Sequence, residues 1–452
     1  MSGSRTIIGL LALIATLLTA TEARAAFTIC AVGSIRTIDS GETIPNGPNA
    51  GDTEDYWPNG DSTLSKAIPG IQVGLYRPGQ GNTYEFTGSD GCADFSVSAA
   101  QNSVVTFYTN SYSLAGQILV VHDDPYDFTL PVGSTWTWQW TNQDMQNGNT
   151  YTYTNIGSGL AKWTAFFSAN FAFRKWDQAL DKASSYTATY LGLDESCTST
   201  TNDDASAHYG GSGSSRSNGQ ITSHRHYLLL ANCTGGGQLS RQKSIISHEL
   251  GHAIVALYYG AHTGALNGDE PSSTDYNKDQ QDGETGSCVS VADGYTITSK
   301  EWNSVAFREG FAHFVAAAAW NDKNDPGVAG GSGTGEEGEY TWFGSPRDLE
   351  RFNQGSGSGS GGHLENFCGA WDSSGTSGDW LRFLWDFWSD AGCSSTSKAD
   401  ILKLYSTIRL GGGFTKGNYY TRSEQRMTSV FSGCKQSSFI DWAGWNGIDN
   451  DT

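Results

Sequence analysis

The chain has 452 residues, enough for two or three domains that each have a hydrophobic core. It carries 47 Asp and Glu against 27 Lys and Arg, and the resulting net charge of −20 argues against nucleic acid or an anionic membrane as a partner. The 57 Gly, 15 Trp, 20 Tyr and 20 Phe indicate a loop-rich extracellular protein rather than a disordered one.

The N-terminal residues have the pattern of a secretory signal peptide. Arg5 precedes an apolar run over residues 7–18, and the sequence Ala-Arg-Ala at 23–25 is a small-x-small cleavage site. The apolar run is too short to cross a bilayer, and no later run approaches the length needed. We therefore expect residues 1–25 to be removed, the mature chain to be secreted, and no membrane span to be present.

The eight cysteines all follow the expected cleavage site, and none forms a Cys-x-x-Cys pair. This usage indicates structural disulfides formed in an oxidising compartment rather than a zinc knuckle or a redox site. Among the many possible connectivities we predict near-neighbour pairing. The predicted bonds are Cys30–Cys92, Cys197–Cys233, Cys288–Cys368 and Cys393–Cys434.

Residues 26–145 carry strand signals and no convincing helix. Short segments that alternate or stay apolar between Gly, Pro and Asn turns predict strands at 27–32, 71–76, 92–97, 104–108 and 117–121. Their spacing predicts an antiparallel β-sandwich. The order of the segments 70–76, 91–95 and 104–108 resembles the transthyretin-like or carboxypeptidase-regulatory-like sandwiches that precede many secreted peptidases. Because no catalytic constellation occurs here, we interpret 26–145 as a structural or docking module.

The second predicted domain covers residues 146–452, with a joint at 157–160. Helical periodicity follows over 163–180, and strands are predicted at 186–191 and 221–230 with a polar Gly/Ser loop between them. We expect the later strand to be an edge strand beside a cleft, where it could pair with an extended substrate. His224 and His226 share one face of this strand, and we interpret them as cleft-lining or solvated residues.

The segment 238–259 contains the sequence His-Glu-x-x-His at His248, Glu249 and His252. On a helix the two histidines are four residues apart on one face, so both imidazoles can reach a single metal ion. Glu249 lies close enough to accept a proton from a water at the metal. Ser240 can cap the start of this helix, and Gly260 can end it.

A polar, irregular segment follows over 259–289. Asp275, Asn277 and Asp279, followed by Asp282, resemble part of a calcium loop that offers oxygen ligands at alternating positions. The Gly and the bidentate Glu that complete such a loop are missing. We predict a solvated acidic loop here, with a structural Ca2+ site as the alternative.

Two histidines hold zinc poorly, so a third protein ligand is expected. The metzincin pattern would need Gly at position 255 and His at 258, but Val255 and Tyr258 stand there. A long Ala-rich helix is predicted over 298–320, with a capping box of Thr298 and Glu301. Its Glu309 lies among aromatic residues, and burying it is costly unless it is paired or binds a cation.

These two helices together resemble the gluzincin metallopeptidases, in which a second helix supplies a Glu ligand, often in a Glu-Gly-x-Ala setting. The resemblance implies a zinc site of His248, His252 and Glu309, with Glu249 as general base. The chain departs from thermolysin-like members at His313, where those proteins have an acidic residue. We leave open whether His313 supports the site, is a fourth ligand, or is a core histidine.

His262 and Asp269 are reserve candidates for the third ligand. Tyr405, Tyr419 and Tyr420 are candidate donors to an oxyanion, and their spacing selects none of them. Gly/Ser-rich stretches at 326–338 and 355–362 are predicted surface loops. Helices are predicted at 379–388 and 398–410, and they would form the lower half of the catalytic domain.

The sequence thus predicts an α+β chain: an N-terminal antiparallel β-sandwich, then a gluzincin-like zincin domain with a mostly helical lower half. The predicted protein is a secreted, monomeric zinc metallopeptidase that cleaves protein or peptide substrates. One alternative is a secreted binding or adhesion protein with an inactive peptidase-like domain. Another is a zinc hydrolase of non-peptide amides or esters.

Overall fold

The structure is a computed structural model. The described residues are 27–35, 64–112, 118–122, 136–157, 161–177, 188–194, 207–217, 220–231, 243–258, 297–320, 339–342, 345–348, 362, 364, 374–409, 420, 424 and 430–448. The predicted signal peptide at 1–25 and the Cys197–Cys233 and Cys288–Cys368 bonds lie outside them.

The described residues form both strands and helices, so the predicted α+β class is confirmed. The strands are β1 (Phe27–Ile35), β2 (Leu64–Ala67), β3 (Ile71–Arg77), β4 (Gly81–Phe86), β5 (Cys92–Phe95), β6 (Ala100–Tyr112), β7 (Ile118–His122), β8 (Thr137–Met145), β9 (Thr150–Ile156), β10 (Ala188–Asp194), β11 (Ala207–Ser217), β12 (Gln220–Ala231), β13 (Glu301–Trp302), β14 (Glu339–Trp342), β15 (Ser345–Asp348) and β16 (Ser374–Gly375). The helices are α1 (Ala161–Asp177), α2 (Lys243–Tyr258), α3 (Asn303–Trp320), α4 (Ser377–Ser389), α5 (Lys398–Arg409) and α6 (Cys434–Trp445). None of these helices combines the length and the apolar character that a membrane span requires.

The chain divides into two compact units. Of the described elements, the first unit contains β1–β6, β8 and β9. One of its sheets has the order β2-β1-β5 with β9 paired to β1, and the other strands pair in the order β4-β3-β6 with β8 on β6. The β1–β5 pair is antiparallel and places Cys30 opposite Cys92, where the predicted disulfide is confirmed.

The core of the first unit follows from strand alternation. Val73, Leu75, Val105 and Phe107 are fully buried and share one face of the β3–β6 pair. On that face the Phe107 ring lies 5.6 Å from the ring of Tyr153 on β9. The sequence did not lead us to predict β4, β8 and β9. On β4 nearly every position is exposed, whereas on β8 and β9 the alternation of Trp138 and Trp140 and of Tyr151 and Tyr153 with polar residues was an available signal.

The second unit has a mixed sheet in which β11 pairs antiparallel with β12, while β10 pairs in parallel with both β12 and β7. The prediction that segment 221–230 forms an edge strand is therefore wrong, because β11 covers the expected free edge of β12. The Gly/Ser-rich segment of β11 has low strand propensity, which is why the sequence predicts a loop there. The side chains of His224 and His226 lie outside the described residues.

Three of the described helices of the second unit, α1, α2 and α4, pack on α3. Helix α1 contacts α2 and α3, and α4 packs on the other side of α3. Trp176 of α1 donates a hydrogen bond from Nε1 to the Val315 carbonyl oxygen at 3.2 Å, and Trp320 donates from Nε1 to Ser247 Oγ of α2 at 2.7 Å. These buried hydrogen bonds fix the position of each helix along the axis of its neighbour. The apolar faces alone would fix only which sides of the helices meet.

The start of α3 differs from the predicted capping box of Thr298 and Glu301. Glu301 lies in β13, before the helix, and accepts a hydrogen bond from Ser299 Oγ at 2.7 Å. Helix α3 begins at Asn303, so Glu301 cannot serve as the third residue of its first turn.

The predicted helices at 379–388 and 398–410 are confirmed as α4 and α5. Thr376 caps α4, because its Oγ1 accepts the backbone N–H of Asp379 at 3.2 Å. The predicted Cys393–Cys434 disulfide is also confirmed, and it ties the short 3-10 turn after α4 to the first residue of α6.

Gly310 sets how closely α3 and α4 approach. A Cβ atom there would clash with Cβ of Trp380 and lie 2.7 Å from the Ser377 carbonyl oxygen. We expect Gly310→Ala to lower the free energy of unfolding of the second unit by about 1–3 kcal/mol, although Ala favours helix more than Gly does. Urea unfolding measures this free energy. The control is Ser437→Ala at an exposed position of α6, which we expect to leave the free energy of unfolding nearly unchanged. An unchanged midpoint in Gly310→Ala would show that the two helices can separate without loss.

Candidate metal centre

Helix α2 places both histidines of the His-Glu-x-x-His sequence on one side. His248 and His252 are one turn apart, and their ring centroids lie 4.9 Å from each other with the planes nearly perpendicular. Both residues are buried, with exposed fractions of 2% and 8%. Ile245, Ile246, Leu250 and Ile254 are also buried and anchor the rest of the helix in the core.

Glu309 of α3 faces both imidazoles. Its Oε2 atom lies 3.2 Å from Nε2 of His248 and 3.3 Å from Nε2 of His252. One ligand atom from each of the three residues lies within 4.8 Å of the others, so the group can hold a metal ion. Two ring nitrogens and one carboxylate oxygen that converge in this way match the ligand types of a zinc site.

A close approach of the two helices brings the three side chains together. A Cβ atom on Gly251 would lie 2.9 Å from Cα of Ala312 and 3.0 Å from its carbonyl oxygen. Glycine at this position therefore lets α2 lie almost against the backbone of α3. Since Gly251 directly precedes His252 and Ala312 lies three residues after Glu309, the contact sets the separation of the candidate ligands.

The protonation states suit a cation. Burial lowers the pKa of His252 to about 4, which leaves its imidazole neutral near pH 7. Burial by itself would raise the pKa of the Glu309 carboxyl, but its interactions with the imidazoles of His252 and His248 outweigh this and hold the pKa well below its usual value. Neutral imidazole and ionised carboxylate are the forms that bind metal.

Glu249 directly follows His248 on α2 and is buried, with an exposed fraction of 5%. It is not one of the three residues whose ligand atoms converge. A buried carboxylate that is next to a ligand in sequence and outside the converging group suits the predicted role of proton acceptor.

His313 lies one turn after Glu309 on α3 and is fully buried. Its ring centroid is 4.2 Å from that of His248, and burial followed by the nearby His248 lowers its pKa well below the usual value. Among the described residues the converging group does not include His313. Of the three alternatives left open, the geometry therefore favours a neutral histidine that packs behind His248 and supports it.

Most of the other candidate ligands and oxyanion donors lie at positions that the structure does not describe. His262, Asp269, the possible calcium ligands Asp275, Asn277, Asp279 and Asp282, and Tyr419 lie outside the described residues, as does the side chain of Tyr405. Tyr420 is described and buried, and its ring stacks on Phe439 of α6 with centroids 6.2 Å apart.

Acidification should destabilise the metal-free protein. The folded-state pKa of His252 is about 4 against 6.5 for the free side chain, so the unfolded chain takes up the proton first and stability falls as the pH drops through this window. We expect a loss of about 2 kcal/mol for this residue between pH 7 and pH 5. Urea unfolding in EDTA measures it, and His252→Asn should show a shallower pH dependence. Equal slopes in the two proteins would contradict the prediction.

No protein-family model matches the chain, and no curated protein sequence matches it significantly.

Proposed function

We propose that the chain is a zinc-dependent metallopeptidase of the gluzincin type. One observation carries the proposal: Oε2 of Glu309 faces Nε2 of both His248 and His252 across two separate helices. The sequence by itself predicts the same three residues as ligands. Burial of the Glu309 carboxylate costs free energy unless the charge is paired or binds a cation, so its burial here favours a binding site.

Zinc fits the site better than Ca2+ or Mg2+ does. Ca2+ and Mg2+ prefer oxygen ligands throughout, whereas this group offers two nitrogens and one oxygen. Catalytic zinc sites have three protein ligands and keep a fourth position for water or substrate. Among the described residues the group has three protein ligands, one of them a carboxylate, which favours a catalytic over a structural site.

The proposed mechanism assigns each residue one task. His248, His252 and Glu309 hold the ion, and His313 keeps the His248 ring in place. Bound zinc would polarise the scissile carbonyl and lower the pKa of a water molecule. Glu249 accepts the proton of the attacking water and delivers it to the leaving amine. Burial of all these groups strengthens their electrostatic interactions with the reacting atoms.

The rest of the proposed architecture follows the same resemblance. The first unit would be a transthyretin-like β-sandwich, and α4, α5 and α6 would form the lower half of a zincin domain. Two confirmed disulfides are compatible with an oxidising compartment, and they support secretion of the chain after removal of 1–25. Protein or peptide is the proposed substrate, and a monomer is the proposed state.

Metal removal tests the proposal on the purified mature chain. We expect close to one zinc per chain by elemental analysis, loss of casein hydrolysis after treatment with 1,10-phenanthroline, and recovery when zinc is added back. The non-chelating isomer 1,7-phenanthroline is the control. Absence of bound zinc would refute the metal site. Zinc without casein hydrolysis would favour an enzyme acting on non-peptide amides or esters, or a binding protein.

A further inference from the structure

The first unit carries an exposed aromatic surface on the side of β3 and β4 away from its core. Strand β3 points Val73 and Leu75 inward, so Gln72 and Tyr76 point to the opposite face. The antiparallel register pairs Gln72 with Phe86, Gly74 with Tyr84 and Tyr76 with Asn82. The side chains of Asn82, Tyr84 and Phe86 therefore lie on that same face. We define the aromatic face as Gln72, Tyr76, Asn82, Tyr84, Phe86 and Tyr108.

The rings on this face are large and reach solvent. Tyr84 is 47% exposed, Tyr76 44% and Phe86 39%, which are among the highest values for large apolar side chains in the described residues. Such residues are common singly, but a cluster on adjacent strands marks an interaction site. The strands hold the rings at fixed spacing, so the face is preformed.

Gly74 gives the face its shape. It lies opposite Tyr84 across the β3–β4 pair, and a Cβ atom there would lie 2.9 Å from Cε2 of Tyr108 and 3.1 Å from Cε1 of Tyr84. The two tyrosine rings therefore lie over the bare backbone of Gly74, with centroids 6.0 Å apart and planes at 61°. A side chain at position 74 would lift the rings off the sheet.

The face offers neutral hydrogen-bonding groups beside the rings. Asn110 Nδ2 donates to Gln72 Oε1 at 2.9 Å, which orients the Gln72 amide and leaves its NH2 as a donor. Burial and the neighbouring Tyr84 raise the pKa of Tyr108 to about 12, so its hydroxyl stays protonated. The outward positions of β3, β4 and β6 on this face carry no charged residue, in a chain of net charge −20.

We propose that the aromatic face binds a neutral polysaccharide. Sugar rings present flat C–H surfaces that stack on the electron-rich faces of aromatic rings, while their hydroxyls bond to amides and tyrosine hydroxyls. A nucleic acid or an anionic membrane would need basic residues on the surface, and this face has none. Protein interfaces are enriched in Arg beside their aromatic residues, and Arg is also missing here.

This inference does not depend on the metal centre, since every residue that carries it belongs to the first unit. Binding to an insoluble polymer would keep a secreted enzyme near substrates embedded in that polymer. The two activities are therefore separable, and variants of the aromatic face are expected to hydrolyse soluble casein at the rate of the unmodified chain.

The test is adsorption of the full mature chain to cellulose, chitin and insoluble starch, with dissociation constants from depletion isotherms. We expect adsorption to at least one of these polymers. Tyr84→Ala and Tyr76→Ala should each weaken it about fivefold to tenfold, which corresponds to the loss of one aromatic contact. Tyr84→Phe should retain most of the affinity. Trp445→Ala removes a comparably exposed ring (41%) in the second unit and should have no effect.

Two outcomes would overturn the proposal. One is failure to adsorb to all three polymers, and the other is adsorption that both tyrosine variants leave unchanged. Binding to phosphatidylcholine vesicles in place of the polymers would assign the face to a lipid surface instead. Tyr76 does not lie over Gly74, so Tyr76→Ala remains decisive if Tyr84→Ala disturbs the fold of the first unit.

Discussion

Replacement of Glu249 by Gln is expected to abolish casein hydrolysis while zinc remains bound. The substitution keeps the size and most of the polarity of the side chain but removes the base that accepts the proton of water. General acid–base groups contribute about 10²–10⁴-fold to rate, and an essential base at the metal should lie at the upper end of this range. Initial rates on casein and zinc per chain are measured on the same preparation.

The matched control for this variant is Glu85→Gln on β4. Glu85 is an exposed carboxylate of the first unit, so the same chemical change there should leave the rate unchanged. Retained hydrolysis in Glu249→Gln would remove the residue from the mechanism. Loss of zinc together with activity would instead show that Glu249 supports the ligands, and the general base would have to be sought elsewhere.

Replacement of Glu309 by Ala is expected to remove zinc from the purified protein. The carboxylate is the only one of the three convergent ligands that comes from α3, and two histidines alone hold the ion poorly. Removal of a residue that only supports a ligand lowers metal affinity about 10–100-fold. We expect Glu309→Ala to lower zinc affinity by more than this. Competition with a chromogenic zinc chelator measures the dissociation constant, and casein hydrolysis should fall in parallel.

Two comparisons separate the ligand from its neighbours. His313→Gln should retain zinc with the weaker loss typical of a supporting residue, because its ring packs on His248 at 4.2 Å. Glu301→Gln alters another buried carboxylate of the second unit, on β13, and should leave zinc content unchanged if the chain folds. Full zinc content in Glu309→Ala would transfer the third position to His313, His262 or Asp269.

Local pattern was sufficient for those parts of the protein that depend on neighbours within a few residues. The four-residue spacing of His248 and His252 placed both on one helical face, and the apolar period predicted α2, α3, α4 and α5. The bonds Cys30–Cys92 and Cys393–Cys434 join residues 62 and 41 positions apart, and they were predicted by pairing cysteines that are near neighbours among the eight rather than by a local pattern. Glu309 could be singled out because a carboxylate inside an apolar helical stripe needs a partner.

Only the tertiary structure decided the contacts between segments far apart in sequence. The approach of Gly251 to Ala312 brings Glu309 to the histidines, and nothing in either helix alone specifies it. Likewise β11, whose Gly and Ser residues lack strand propensity, pairs with β12 and removes the expected edge. The aromatic face arises because β3 and β4 pair in one register across Gly74. Strand pairing and helix approach depend on backbone bonds and space between distant segments, which periodicity within one segment does not encode.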